Sequence, residues 1–335
     1  MLGREAKQLM NKSREIISAS LGCRPTELYF TSGGSESDNW ALEYGAKLMR
    51  PYGNHIISSA YEHPAIKQSL ERLKSEGYEI TELIPDSTGH ITAEKVKNAL
   101  RNDTILISIM LVNNEVGTVN DIKSISKAIK SFNNKIILHT DAVQGYMKIP
   151  FTVKSLGADM ISICSHKIHG PKGIGALYIN HSLKLDGLIV GGSQEFGKRA
   201  GTENVPYIVG FAKAVELTNP ILKQSYQEVE ELGNILKAEI QNKLTDVIFY
   251  NNDSPYIISL TKPGIDNESA VLRLSSYGFC VSTASACKNG GKSQVLKALG
   301  KDDNYINGTI RISLSRYNTR EEIHKFCDTF IKMYK

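Results

Sequence analysis

Short apolar runs alternate with amphipathic stretches over the first two-thirds of this 335-residue chain, and that rhythm constrains the fold more than any other feature. "ELYFTSG", "HIISS", "YEITELI", "TILISIMLV" and "KIILHTDA" read as strands rich in β-branched and aromatic residues. Between them "SESDNWALEYGAKLM", "EHPAIKQSLERLKSEG", "TAEKVKNAL" and "DIKSISKAIKSF" carry apolar residues at helical spacing. Regular alternation of strand and helix predicts βαβ units, hence an α/β fold with a mostly parallel central sheet flanked by helices. "ADMISI" and "GIGALYI" stand close together and read as two further strands, a mixed edge to that sheet.

Near residue 221 the texture changes. A long charged helix over 223–244 precedes "YIISLT", "ESAVLRLSSYG", "FCVST", "GTIRISLS" and a last helix, "REEIHKFCDTFIKMY". The expected organisation is a large domain over 1–220 and a smaller C-terminal α+β domain over 221–335. Composition bounds the partners. With 41% hydrophobic and 22% charged residues the chain can bury a substantial core. A net charge of +5 without basic runs does not call for nucleic acid. No apolar run reaches the ~18 residues of a membrane span, and "MLGREAKQLM" lacks a signal-peptide core, so neither membrane nor secretion is expected. Five scattered cysteines point to free thiols in a reducing cytoplasm.

Four local features carry chemistry. In "FTSGGSESDN" a strand ends in glycines and a helix begins at Ser35 or Glu36; its free N–H groups suit a phosphate, although Ser35 with Asp38 also resembles an ordinary capping box. Asp141 closes a strand in "HTDAVQ", where ligands of open parallel sheets collect, or else it serves simply as a helix N-cap. Lys167 lies just past another strand end in "CSHKIHGPKGIGALY", either a solvated loop cation or an amine held for Schiff-base chemistry. Cys287 sits in "CVSTASACKNGGKSQ", among small residues and lysines that favour a thiolate, whereas Cys23, Cys280 and Cys327 have the flanks of inert thiols. Two lookalikes are set aside. "GSQEFGK" mimics the start of a P-loop but has Arg199 where Ser or Thr is needed, and Cys164, His166 and His169 have no second cluster to complete a metal site.

A carboxylate and a lysine at neighbouring strand ends, with a phosphate turn upstream, suit pyridoxal phosphate. At that level the chain resembles the cysteine desulfurases of the NifS/IscS type, within the class V aminotransferase group of fold-type I pyridoxal-phosphate enzymes. The resemblance runs through "FTSGGSESDN", "EHPA", "VNNEVGTV", "HTDAVQ", "SHKIHGPKGIGALY", "GGSQEFGKRAGTENV", "STASAC" and "IRISLSRYNT", in order along nearly the whole length. It implies that the large domain over 1–220 lacks the N-terminal segment with which the family normally begins.

The resemblance also implies roles. Lys167 would carry the cofactor aldehyde, Asp141 would hold the ring nitrogen protonated, and Gln144 would bond the ring oxygen. His63 would stack on the ring and shuttle protons. Gly34, Ser35 and His166 would hold the phosphate, joined by Thr202 from the partner subunit of a homodimer. Asn114 and Arg311 would hold the substrate carboxylate. Cys287 would take sulfur from L-cysteine as a persulfide, releasing L-alanine, for an iron–sulfur scaffold or a tRNA-thiolation enzyme. Two alternatives stay open: a selenocysteine lyase or other pyridoxal-phosphate lyase of the same fold, and a catalytically impaired sulfur-relay protein.

Overall fold

The computed structural model describes residues 1–250, 253–283 and 292–335. The chain divides into two compact units. The first comprises Met1–Leu83, Ile91–Val112 and Asn120–Leu222; the second comprises Ile84–His90, Asn113–Val119 and Lys223–Lys335.

In the first unit the elements run α1 (Leu2–Leu21), β1 (Leu28–Thr31), α2 (Gly34–Met49), β2 (His55–Ser59), α3 (Pro64–Ser75), β3 (Glu79–Leu83) and α4 (Ala93–Ala99). They continue as β4 (Thr104–Ser108), α5 (Ile122–Phe132), β5 (Ile137–Asp141), α6 (Val153–Leu156), β6 (Met160–Cys164), β7 (Gly175–Ile179) and α7 (Val205–Thr218). The seven strands form one sheet in the order β1-β7-β6-β5-β4-β2-β3. From β3 to β6 all pairings are parallel, as the alternating pattern requires.

β7 runs antiparallel to β6, because the connection over 165–174 is too short for the crossover a parallel pair needs. β7 is not the edge, however. β1 pairs antiparallel outside it, a placement that nothing in the local sequence of "ELYFTSG" signals. The run "TILISIMLV" also yields a shorter strand than its apolar length suggests, ending at Ser108. Beyond it the Ile109 and Leu111 N–H groups still bond the carbonyls of His139 (3.2 Å) and Asp141 (2.9 Å).

Every residue of β2, β4, β5 and β6 is buried, including polar ones such as His55, His139 and Ser162. α2 lies across the sheet with Trp40, Ala41 and Leu42 packed into a core shared with Leu106, Ile137, Met160 and Leu177. Local chemistry sets the helix starts. Asp121 accepts the Ser124 N–H at the head of α5, and Thr92 accepts the Lys95 N–H at the head of α4.

The second unit contains α8 (Leu222–Gln241), β8 (Ile248–Phe249), β9 (Ile257–Thr261), α9 (Asn267–Ser276), β10 (Ser282–Thr283), α10 (Gln294–Ala298), α11 (Asp303–Asn307), β11 (Thr309–Ser313) and α12 (Arg320–Tyr334). Its four strands form an antiparallel sheet in the order β10-β11-β9-β8. α12 starts with a reciprocal Thr319–Glu322 capping box and buries Ile323, Phe326 and Phe330. Among the described residues no helix is long and apolar enough to cross a membrane.

Candidate active site

Parallel pairing sends β2, β4, β5 and β6 out of the sheet at the same edge, so the residues just past their ends gather there. Asp141 is the last residue of β5, His63 lies just after β2, and Lys167 lies in the turn after β6. Asp141 is 6% exposed, and its Oδ1 accepts the Val143 N–H at 2.8 Å. Burial pushes its carboxyl above the usual range, while the Val143 amide, His63 and Lys167 pull it back toward ionisation. Burial holds His63 below the ordinary imidazole range; Asp141 opposes that shift and Lys167 adds to it. The three groups are therefore within electrostatic reach of one another. His63 also caps α3: its Nδ1 accepts the Ala65 N–H at 3.1 Å, which leaves the proton of the neutral ring on Nε2.

The phosphate turn starts earlier than the sequence suggests. α2 begins at Gly34 with Gly33 as its cap, and no side chain caps it. The Ser35–Asp38 capping box does not form. Asp38 is instead buried at 1% exposure, its Oδ1 lying 3.7 Å from His139 Nε2. The first-turn amides of α2 thus stay open to an anion. Two glycines make this approach possible. A Cβ on Gly34 would come within 2.7 Å of Val143, two residues past Asp141, and one on Gly175 would meet the Gly33 main chain at 2.8 Å. Ser35 and His166 are both exposed.

Gln144 is half-buried and its Oε1 accepts from Lys148 Nζ at 3.1 Å. Lys148 is not singled out by the sequence, yet it acts on this edge. Partial burial lowers the His166 pKa, and Lys167, Lys148 and Lys172 lower it further, so cations surround that ring. A lysine in "GYMKIP" carries no motif, so sequence reasoning passes over it.

Thr202 is exposed and lines a cleft of about 250 Å³ with Thr31, Ser32, Glu195 and Arg199. Arg199 ties this loop to the first turn of α2 through Glu36, at 2.9 Å and 3.2 Å. Glu195 anchors it to α1 by a bidentate pair with Arg14 at 2.8 and 2.5 Å, and it also accepts the Phe30 N–H at 2.8 Å. Glu195 and Phe196 both hold left-handed backbone, so "GSQEFGK" is no P-loop.

Asn114 and Arg311 belong to the second unit. Arg311 projects from β11 and its Nη1 donates to the Asn114 main-chain oxygen at 2.9 Å. Its Nε is buried with no partner among the described residues. Burial lowers the guanidinium pKa and Glu115 opposes that shift. An unpartnered buried guanidinium N–H is suited to an incoming carboxylate. Cys287 lies outside the described residues.

The first-unit residues fit pyridoxal phosphate. Asp141 is a buried carboxyl that a cationic ring nitrogen would hold ionised, the open start of α2 suits the phosphate, and Lys167 offers the amine. Cys164, at the end of β6, is fully buried, and burial raises its thiol to about 11.

Comparison with known proteins places the whole chain beside others. The family model described as aminotransferase class-V matches residues 1–326. A protein of Methanosarcina thermophila named cysteine desulfurase IscS is 40% identical over 334 residues, covering 97% of this chain and 81% of that protein. One of the same name from Dictyoglomus turgidum is 40% identical, over 97% of this chain and 84% of its own length. A solved NifS-like protein superposes with a TM-score of 0.93 at 35% identity, covering 99% of this chain and 89% of its own. A structure described as SspA in complex with cysteine gives 0.81 at 34% identity, over 95% and 89%.

Proposed function

The chain belongs to the aminotransferase class-V family, and from that premise we propose that it is a pyridoxal-phosphate-dependent cysteine desulfurase. The observation that carries the reading is the buried strand-end carboxyl of Asp141, electrostatically joined to both Lys167 and His63. Lys167 holds the cofactor aldehyde, Asp141 its ring nitrogen and Gln144 its ring oxygen. Gly34, Ser35 and His166 hold its phosphate. Thr202 completes the phosphate site of a second copy in a homodimer, a role supported by its exposure on a loop tied to the start of α2.

When bound, the group supplies an electron sink for the pair released as the substrate Cα–H bond breaks. The chain's own residues do the rest. Arg311, whose Nε has no partner among the described residues, and Asn114 orient the carboxylate of L-cysteine. The freed Lys167 amine takes the Cα proton, and His63, fixed by the Ala65 N–H, carries protons through Nε2. Cys287 thiolate attacks the substrate sulfur: an S–S bond forms, the Cβ–S bond breaks, Cβ takes a proton, and Lys167 returns a proton to Cα. L-Alanine leaves and a persulfide stays on Cys287. An iron–sulfur scaffold or a tRNA-thiolation enzyme in the cytoplasm then accepts the sulfur.

The test is alanine released from L-cysteine by the purified chain supplied with pyridoxal phosphate and reductant, beside Cys287→Ala. Alanine from the parent alone is the expected outcome. Activity that survives in the variant would move the reading to a lyase, and no alanine from either would overturn it.

A further inference from the structure

We propose that Glu62 is a positioning residue of this site, a buried carboxyl that clamps the turn carrying His63 to the segment that holds Asp141. Its functional meaning rests on the cofactor reading above, whereas the clamp is a property of the folded chain. Glu62 lies between Tyr61 and His63 in the turn after β2 and is 3% exposed. Its Oε1 accepts the Met110 N–H at 3.0 Å and also the Ser59 hydroxyl. Met110 sits between the two residues whose N–H groups bond β5, Ile109 to His139 and Leu111 to Asp141. One carboxyl oxygen thus stands next to His63 along the chain and a single residue from the amide that holds Asp141.

A second side chain repeats the connection. Asn120 Nδ2 donates to the Met110 carbonyl at 2.8 Å and to the Tyr61 hydroxyl at 2.9 Å. Met110 is gripped at its N–H by Glu62 of the turn over 59–62 and at its C=O by Asn120, which also reaches Tyr61 of that turn.

The surroundings set the charge state. Burial is the largest influence and raises the Glu62 carboxyl to about 8; Asp141 raises it further, while Ser59, the Met110 amide and Lys67 act the other way. Asp38, itself buried and shifted well up by burial and Asp141, is the third acid of the group. Three buried carboxyls this close do not all ionise. A neutral Glu62 keeps its acceptor oxygen for the clamp and leaves Asp141 as the anion for a cationic ring nitrogen. Glu62 Oε2 is buried with no partner among the described residues, a setting that costs a hydroxyl less than it costs a charged oxygen.

The experiment compares Glu62→Gln, Glu62→Ala and Ser59→Ala in the full chain by two readouts. Hydrogen exchange over 60–66 and at Met110 is measured without cofactor, and the absorbance of bound pyridoxal phosphate is titrated against pH. Gln, which resembles the neutral acid, should match the parent in both. Ala should speed exchange about tenfold and move the absorbance midpoint by roughly half a unit or more, and Ser59→Ala should speed exchange about two- to threefold. Parent-like exchange in Glu62→Ala overturns the clamp; if that variant does not fold, parent-like exchange in Ser59→Ala does the same. A midpoint lowered by more than about half a unit in Glu62→Gln overturns the neutral state, since a lost anion destabilises a nearby cation. A parent that binds no pyridoxal phosphate defeats the cofactor reading, and the exchange data still judge the clamp.

Discussion

The two units handle their functional side chains in opposite ways. In the first, side chains at the site are already engaged by the protein: Asp141 by the Val143 amide, His63 by the Ala65 amide, Gln144 by Lys148. In the second, Arg311 donates to a main-chain carbonyl and, among the described residues, its buried Nε has no partner. A resident cofactor needs groups fixed before it arrives, whereas a substrate that comes and goes needs a donor left available. The difference matches the proposed reading, in which the first unit serves the cofactor and the second the substrate.

The sharpest way to break that comparison is Lys167→Ala. Alanine formation should fall on the order of 10²–10⁴-fold or more, mainly in kcat, with a changed absorbance of the bound cofactor. A loss confined to KM would show that Lys167 is a binding residue only. Arg311→Lys should act the other way, raising KM for L-cysteine roughly 10–100-fold while kcat holds, because a point charge replaces a planar fork. An effect on kcat alone would remove Arg311 from substrate binding.

Acid sensitivity should separate the units too. Burial holds His139 down at about 3, between Ser108 at 2.9 Å and Ser162 at 3.0 Å, whereas an unfolded histidine titrates near ~6.5. The unfolded chain therefore binds the extra proton in that window, and stability falls as pH drops from about 6.5 toward 3, by at most ~1.4 kcal/mol per unit. His139→Gln should flatten that limb of a denaturation-versus-pH curve. An unchanged slope would mean that other groups govern it. The smallest effect is expected for Glu36→Gln, which leaves Arg199 half-paired. Cofactor affinity should weaken only a few-fold, read by absorbance titration, as for a partly exposed ion pair.

Much of the first unit is legible because its signals are local. Asp141 and Lys167 stand at strand ends that apolar runs announce, and the helices between those strands imply parallel pairing. The features that escape reading are set by partners far away in the chain. Glu62 looks like an ordinary helix-leading acid until Met110 is folded against it, and Arg14 gains meaning only from Glu195. The capping box at Ser35 fails because tertiary burial claims Asp38 for the row beside His139, which outweighs a cap worth about 1 kcal/mol. The helices α1 and α7 carry no motif of their own, yet they pack against each other and support the Thr202 loop.

Cys164 gives the site a chemical selectivity of its own. With its thiol near 11, only on the order of one molecule in several thousand carries the thiolate at pH 7.4, and no surface is offered to a reagent. A second sulfur nucleophile beside Lys167 could otherwise intercept sulfur meant for an acceptor. Alkylating agents and oxidants should pass it by and mark Cys280, which is exposed although its apolar flank reads as that of an inert thiol, so a mass-spectrometric tally of modified thiols carries no signal from the cofactor edge.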